Sequence, residues 1–177
     1  MDIKKELSSN QTVLMIMRSS GYNNDILETM KQLSGKNVCY VTLNKTCDSL
    51  KELFEKNKVD IKNVVFIDTI SRTIKKAPDQ TEHSYFCSSP GALTEISLII
   101  SKFLMHNFEY LIFDSLTNLL IYQKKAPVAK FVSNLVNKIK AGKTKAIFYA
   151  LSVKEQNELI KETGMFVDNV IGMNEVK

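Results

Sequence analysis

The sequence predicts an α/β domain whose mostly parallel sheet is covered by helices on both faces, and three observations carry that prediction. Short apolar runs, VLMIM (13–17), VCYVTL (38–43), VVFI (64–67), YLIF (110–113) and AIFYAL (146–151), lack the in-and-out alternation of a half-wet strand; such runs mark strands buried on both faces. Amphipathic helical segments stand between successive runs, so the strands join through right-handed crossovers. No linker, internal repeat or low-complexity tract divides the 177 residues, a length that buries a substantial core as one domain.

Each element has its own local reason. After a polar leader over 1–11, the 13–17 run feeds through RSSGYNND into a helix with Ile26, Leu27, Met30 and Leu33 on one face, closed at Gly35 by the residue that favours a helix C-terminus. The 38–43 strand leads past Asn44 and Lys45 to a cap at Thr46, before Leu50, Leu53 and Phe54 on the next helix. The third strand ends in Asp68, and the polar segment 69–84, with Pro78 and no period, reads as a loop. Residues 84–87 are β-like; Ser88, Ser89 and Pro90 then predict a cap with proline at the first helical position. Leu93, Ile96, Ile100, Phe103 and Leu104 stripe that helix, which delivers the chain to the 110–113 strand and its terminal Asp114. A basic bend, QKKAP, precedes a helix carrying Val128, Phe131, Val132, Leu135, Val136 and Ile139 and closed by Gly142. After the 146–151 strand, Ser152 and Glu155 read as a capping box for a helix ending near Gly164, and 167–173 as an edge or terminal strand. The domain spans 1–177, with the leader and the tail 174–177 peripheral.

Composition excludes several classes. Hydrophobic residues at 44% and charged residues at 24% are ordinary for a globular protein. No apolar stretch approaches the roughly 20 residues needed to cross a bilayer, and MDIKKELSSNQ lacks a secretory apolar segment, so a cytoplasmic protein is expected. Cys39, Cys47 and Cys87 form neither a CxxC nor a Cys/His cluster; Cys39 and Cys87 fall inside predicted strands. His83, in a polar loop, and His106, near a helix end, have no second ligand at metal spacing, which argues against zinc. The net charge of +5 comes from lysine, Arg18 and Arg72 being the only arginines. Without arginines or aromatics interleaved with the basic residues, specific nucleic-acid recognition is not expected.

Asp114 is the residue that points towards chemistry. Ligand sites of open α/β sheets lie at the carboxyl ends of strands, where a lone carboxylate suits magnesium or a phosphate-linked role; the plainer alternative is that it ends the strand and caps the next turn. With the strands placed, LIFDSLTNLL resembles the Walker B strand of the RecA superfamily, in particular its KaiC-like branch, where an Asp-Ser pair follows the hydrophobic strand. VCYVTLNKTCDSLKEL is similar to that branch's second strand and helix, and FVDNVIGM to its late strand, so the resemblance spans 13–173. It implies a three-layer α/β/α, RecA-like P-loop NTPase fold, an archaeal source and a tendency to oligomerise.

The sequence departs from the family where hydrolysis is performed. A P-loop reads GxxxxGK[ST], so that backbone amides face the phosphates and a lysine neutralises the transferring group. Here the corresponding residues are Arg18, Ser19, Ser20, Gly21, Tyr22, Asn23 and Asn24, with one glycine and no lysine, a degenerate Walker A. Asn44 holds the place of the glutamate that activates water. Losing a transition-state donor costs about 2.7 to 4 kcal/mol, and losing the base about another hundredfold. The resemblance with these departures implies a pseudo-ATPase without catalytic residues or cofactor, serving as a regulatory or protein-interaction subunit or a homo-oligomer, with Arg18 pairing Asp114 across the emptied site. The alternatives are a nucleotide or small-anion sensor using Arg18–Asn24, Asn44, Asp114, Ser115 and Ser152, with ATP and Mg at Asp114, or a weak ATPase completed in trans by Lys124 or Lys125 of a neighbouring subunit.

Overall fold

The computed structural model of the chain describes residues 2–153 and 157–172. Its strands are β1 (Thr12–Met17), β2 (Val38–Thr42), β3 (Val64–Asp68), β4 (Gln80–Thr81), β5 (Ser84–Phe86), β6 (Tyr110–Asp114), β7 (Lys145–Leu151) and β8 (Asn169–Gly172). They form one sheet in the order β4-β5-β3-β2-β6-β7-β1-β8, parallel throughout except for the β4–β5 pair. The helices are α1 (Ile3–Ser9), α2 (Tyr22–Gln32), α3 (Cys47–Lys56), α4 (Ser71–Ile74), α5 (Leu93–Leu104), α6 (Leu116–Tyr122), α7 (Lys125–Lys140) and α8 (Asn157–Phe166).

Alternation along the strands builds two cores. Leu14, Val41, Leu111, Phe113 and Phe148 face α5 to α8, while Val13, Met15, Tyr40, Phe66, Ile112 and Tyr149 face α1 to α3. Over β1, β2, β3, β6 and β7 both sheet faces are therefore dry, as the uninterrupted apolar runs require, while the edge strands β4 and β8 are partly exposed. Among the described residues no helix is long and apolar enough to cross a membrane.

The caps follow the sequence in part. Thr46 accepts a hydrogen bond from the Ser49 N–H at 3.1 Å, as its position predicts; Thr46→Ala is expected to lower stability by about 1 kcal/mol in urea denaturation. Helix α2 gives way to Gly35, whose φ of +77° suits a residue without Cβ. Helix α5, however, begins at Leu93 and not at Pro90. Ser88 is engaged from within the helix instead, its N–H and hydroxyl donating to Glu95 Oε2 at 2.9 and 2.6 Å.

Other expectations are corrected by packing. The leader is not peripheral, because Ile3 and Leu7 lie one turn apart in α1 and are buried against α2 and β1. The segment read as a loop holds α4 and β4, both too short to show a period. Cys87 lies just beyond β5, its N–H donating to the Asp68 carbonyl at 2.8 Å; all three cysteines are buried and free. Gly164 sits within α8, which continues to Phe166. Glu155, Met173 and the tail 174–177 lie outside the described residues, and β8 forms one edge of the sheet.

Candidate functional site

Strand order decides which side chains can meet. β6 lies between β2 and β7, with Asp114 in register with Thr42, and β1 lies on the far side of β7. Asp114 shares its face with Ile112, so its carboxylate is directed to the α1–α3 side and has no exposure to solvent. Tyr40, two residues before Thr42, projects from β2 on the same face and donates its hydroxyl to Asp114 Oδ2 at 2.6 Å. Tyr22 opens α2 and donates a second, short hydrogen bond to the same oxygen. Tyr149, fully buried, projects on the same face from β7, on the other side of β6 from Tyr40.

The next layer outward holds Tyr22 in place. Asn44 Nδ2 donates to the Tyr22 hydroxyl oxygen at 2.9 Å, and Lys45 Nζ lies 5.8 Å from the Tyr22 ring centroid, within cation–π range. Asp68 secures the loop that carries both residues. Its buried carboxylate accepts from the Cys47 N–H at 2.7 Å, the Ile70 and Ser71 N–H groups at 2.8 Å each, and the Ser71 hydroxyl at 2.7 Å.

The two buried acids are therefore unlike. Asp68 is satisfied on both oxygens, whereas Asp114 Oδ1 has no hydrogen-bond partner. Burial lifts the Asp114 carboxyl to about 6, against the opposing pull of the Tyr22 and Tyr40 hydroxyls and of Lys45. Burial, reinforced by the Asp114 charge, raises both phenols, so each keeps its proton and remains a donor.

Of the residues singled out in the sequence, Tyr22, Asn44 and Asp114 come together. Ser115 is adjacent, but its hydroxyl is engaged by Thr117 and Asn118, each at 3.0 Å, and the Asp114–Ser115 peptide is cis. Arg18, Ser19, Ser20, Asn23, Asn24 and Ser152 are exposed. The loop between β1 and α2 is only 18–21, and the Gly21 N–H donates to the Arg18 carbonyl at 3.0 Å, closing a tight turn.

The expected Arg18–Asp114 pair does not form. With β7 intervening, β1 and β6 are separated by two strand spacings, about 9.6 Å. The exposed Arg18 acts on Asp25 instead, where its charge opposes the rise imposed first by burial and then by Glu28. The ring of Tyr22, entering from α2, reaches the carboxylate that Arg18 does not.

Tyr40, Tyr149, Lys45 and Asp68 were not apparent as site residues in the sequence. Tyr40 and Tyr149 sit in runs that read as core, yet a buried phenol needs a partner, and that need is the available signal. The assembled residues do not fit magnesium and a nucleoside triphosphate. One Asp114 oxygen is occupied by two hydroxyls, the Gly21 amide is engaged within its turn, and the first turn of α2 supplies no lysine. Among the described residues no group of three or more His, Cys, Asp or Glu side chains is arranged to hold a metal.

No protein-family model and no curated protein sequence matches the chain. Among solved structures, a KaiC-like protein of the hyperthermophilic archaeon Pyrococcus horikoshii superposes with a TM-score of 0.68 at 12% identity, covering 94% of this chain and 74% of that one. The fold is KaiC-like and RecA-type.

Proposed function

We propose, on the premise of this KaiC-like, RecA-type fold, that the chain is a non-catalytic module serving as a regulatory or protein-interaction subunit. The observation that carries the reading is the Tyr22 phenol hydrogen-bonded to Asp114. In this fold the phosphates of a bound nucleotide would lie between the β1 loop and the acid of β6, and here an aromatic ring closes that approach. Asn44, which cannot take a proton as a carboxylate does, holds Tyr22 in place and is not left free towards a water molecule. Of the two lysines that could complete the site in trans, Lys125 is already paired with Glu158 at 2.7 Å and Glu162 at 2.9 Å.

The test is phosphate release by concentrated protein with ATP and magnesium, together with thermal melts across a nucleotide panel. Release at the level of the blank and no shift are expected. A ligand at a hundred times its dissociation constant would add about 2.7 kcal/mol, so a clear shift without turnover would replace this reading with the sensor. Metal-dependent release that Asp114→Ala abolishes would overturn it.

A further inference from the structure

We infer that the outer face of α5 and α7 is a docking surface for a partner protein whose contacting segment is amphipathic and acidic. This rests on the interaction reading above and adds its place and its chemistry. From Ser115 to Val153 the chain carries seven lysines and no acid. Two of the lysines of α7 are neutralised from within: Lys125 by Glu158 and Glu162, and Lys140 by Asp168 at 2.7 Å.

Lys138 is treated differently. Its amino group meets only the hydroxyls of Ser97 and Ser101 on α5, at 3.2 and 3.0 Å. Neutral hydroxyls fix its position and leave its charge uncompensated. Lys130, two turns earlier and exposed, has no ion-pair partner among the described residues. The single acid of α5, Glu95, is engaged by Ser88, so no carboxylate on the two helices answers these cations.

Apolar side chains share the face. Leu98 is 61% exposed and Met105 75% exposed, with Lys102 between them. Seven residues apart, they stand about two turns, or ~10.5 Å, along one side of α5. Two apolar points spaced by a helical repeat and flanked by uncompensated lysines complement a helix with apolar residues at the same spacing and acids beside them. Nucleic acid would gain little from Leu98 or Met105 and is bound more effectively by arginine. A second copy laid on this face would bring lysine to lysine, and the net charge of +5 opposes that association.

The probe is a fluorescent synthetic helix with leucines at heptad spacing flanked by glutamates, with a twin carrying glutamine for every glutamate, titrated into the full chain by anisotropy. Binding is expected to weaken about tenfold for the glutamine twin, and about tenfold for each of the doubles Lys130→Glu/Lys138→Glu and Leu98→Ser/Met105→Ser. Lys31→Glu/Lys56→Glu, on the opposite face of the sheet, should leave binding unchanged. All substituted positions are exposed, and melting temperatures verify that each variant is folded. Probe binding insensitive to both α5/α7 doubles overturns the proposal. So does preferential binding of duplex DNA or phosphatidylserine vesicles through the same residues, or self-association that those doubles abolish. Phosphate release is read separately, so loss of the docking surface leaves the non-catalytic reading standing, and turnover would remove that reading without moving the docking map.

Discussion

Asp68→Ala is expected to lower the unfolding free energy by about 3 kcal/mol, because it strips several buried donors of one shared acceptor and each unsatisfied donor costs about 1 to 3 kcal/mol, less than additively. Four donors lose their acceptor together: the N–H groups of Cys47, Ile70 and Ser71 and the Ser71 hydroxyl. None is solvent-accessible enough to turn to water, because Cys47, Ile70 and Ser71 are all buried. The consequence extends to the site, since the same carboxylate secures the start of α3 and with it the 43–46 loop that supports Tyr22. Asp68→Asn keeps one acceptor but aims an amide at donors, and about half the loss is expected. Urea denaturation of the three proteins checks the series; an Asp68→Ala loss below about 1 kcal/mol would mean that water reaches these groups.

Acidification is expected to stabilise the protein, opposite to the usual behaviour of a carboxylate-rich surface. The Asp114 carboxyl titrates near 6 when folded and near 3.8 otherwise, so the folded chain binds this proton more tightly. The stabilising contribution is fully present below the unfolded value and is lost as pH rises through the folded one. The full difference is about 3 kcal/mol, of which about 2 kcal/mol falls between about pH 4.5 and about pH 7.5. Asp25, raised by burial, acts with the same sign, whereas the lowered carboxyls of Asp48, Glu109, Glu158 and Asp168 act with the opposite sign at the acid end of the range. Asp114→Asn should flatten the profile in that window. An unchanged profile in the asparagine variant would assign the pH dependence to other groups.

The fold was legible because its determinants are local. Apolar runs such as AIFYAL, the Thr46 cap and the Gly35 stop each act over a few residues, and the structure places strands and helix ends close to where they predict. Where neighbours in space decided, the sequence misled: α1 is a helix with a buried stripe that begins too near the terminus to show a sustained period, and α4 and β4 are held by Asp68 and β5 rather than by propensity.

The site divides in the same way. Asp114, Asn44 and the lysine-free loop 18–24 can be picked out from the order of residues alone, since each stands at the end of a recognisable strand. The sequence by itself therefore determined an α/β sheet with an acid at the end of a buried strand and no lysine in the loop after its first strand. Only the tertiary structure decided what meets that acid. The insertion of β7 between β1 and β6 carries Arg18 out of reach, and the shared parity of Tyr40 and Asp114 on adjacent strands, with Tyr22 entering from α2, brings two phenols to one oxygen. A side chain's partner depends on strand order and on which face it occupies, and residues far apart in the chain set both.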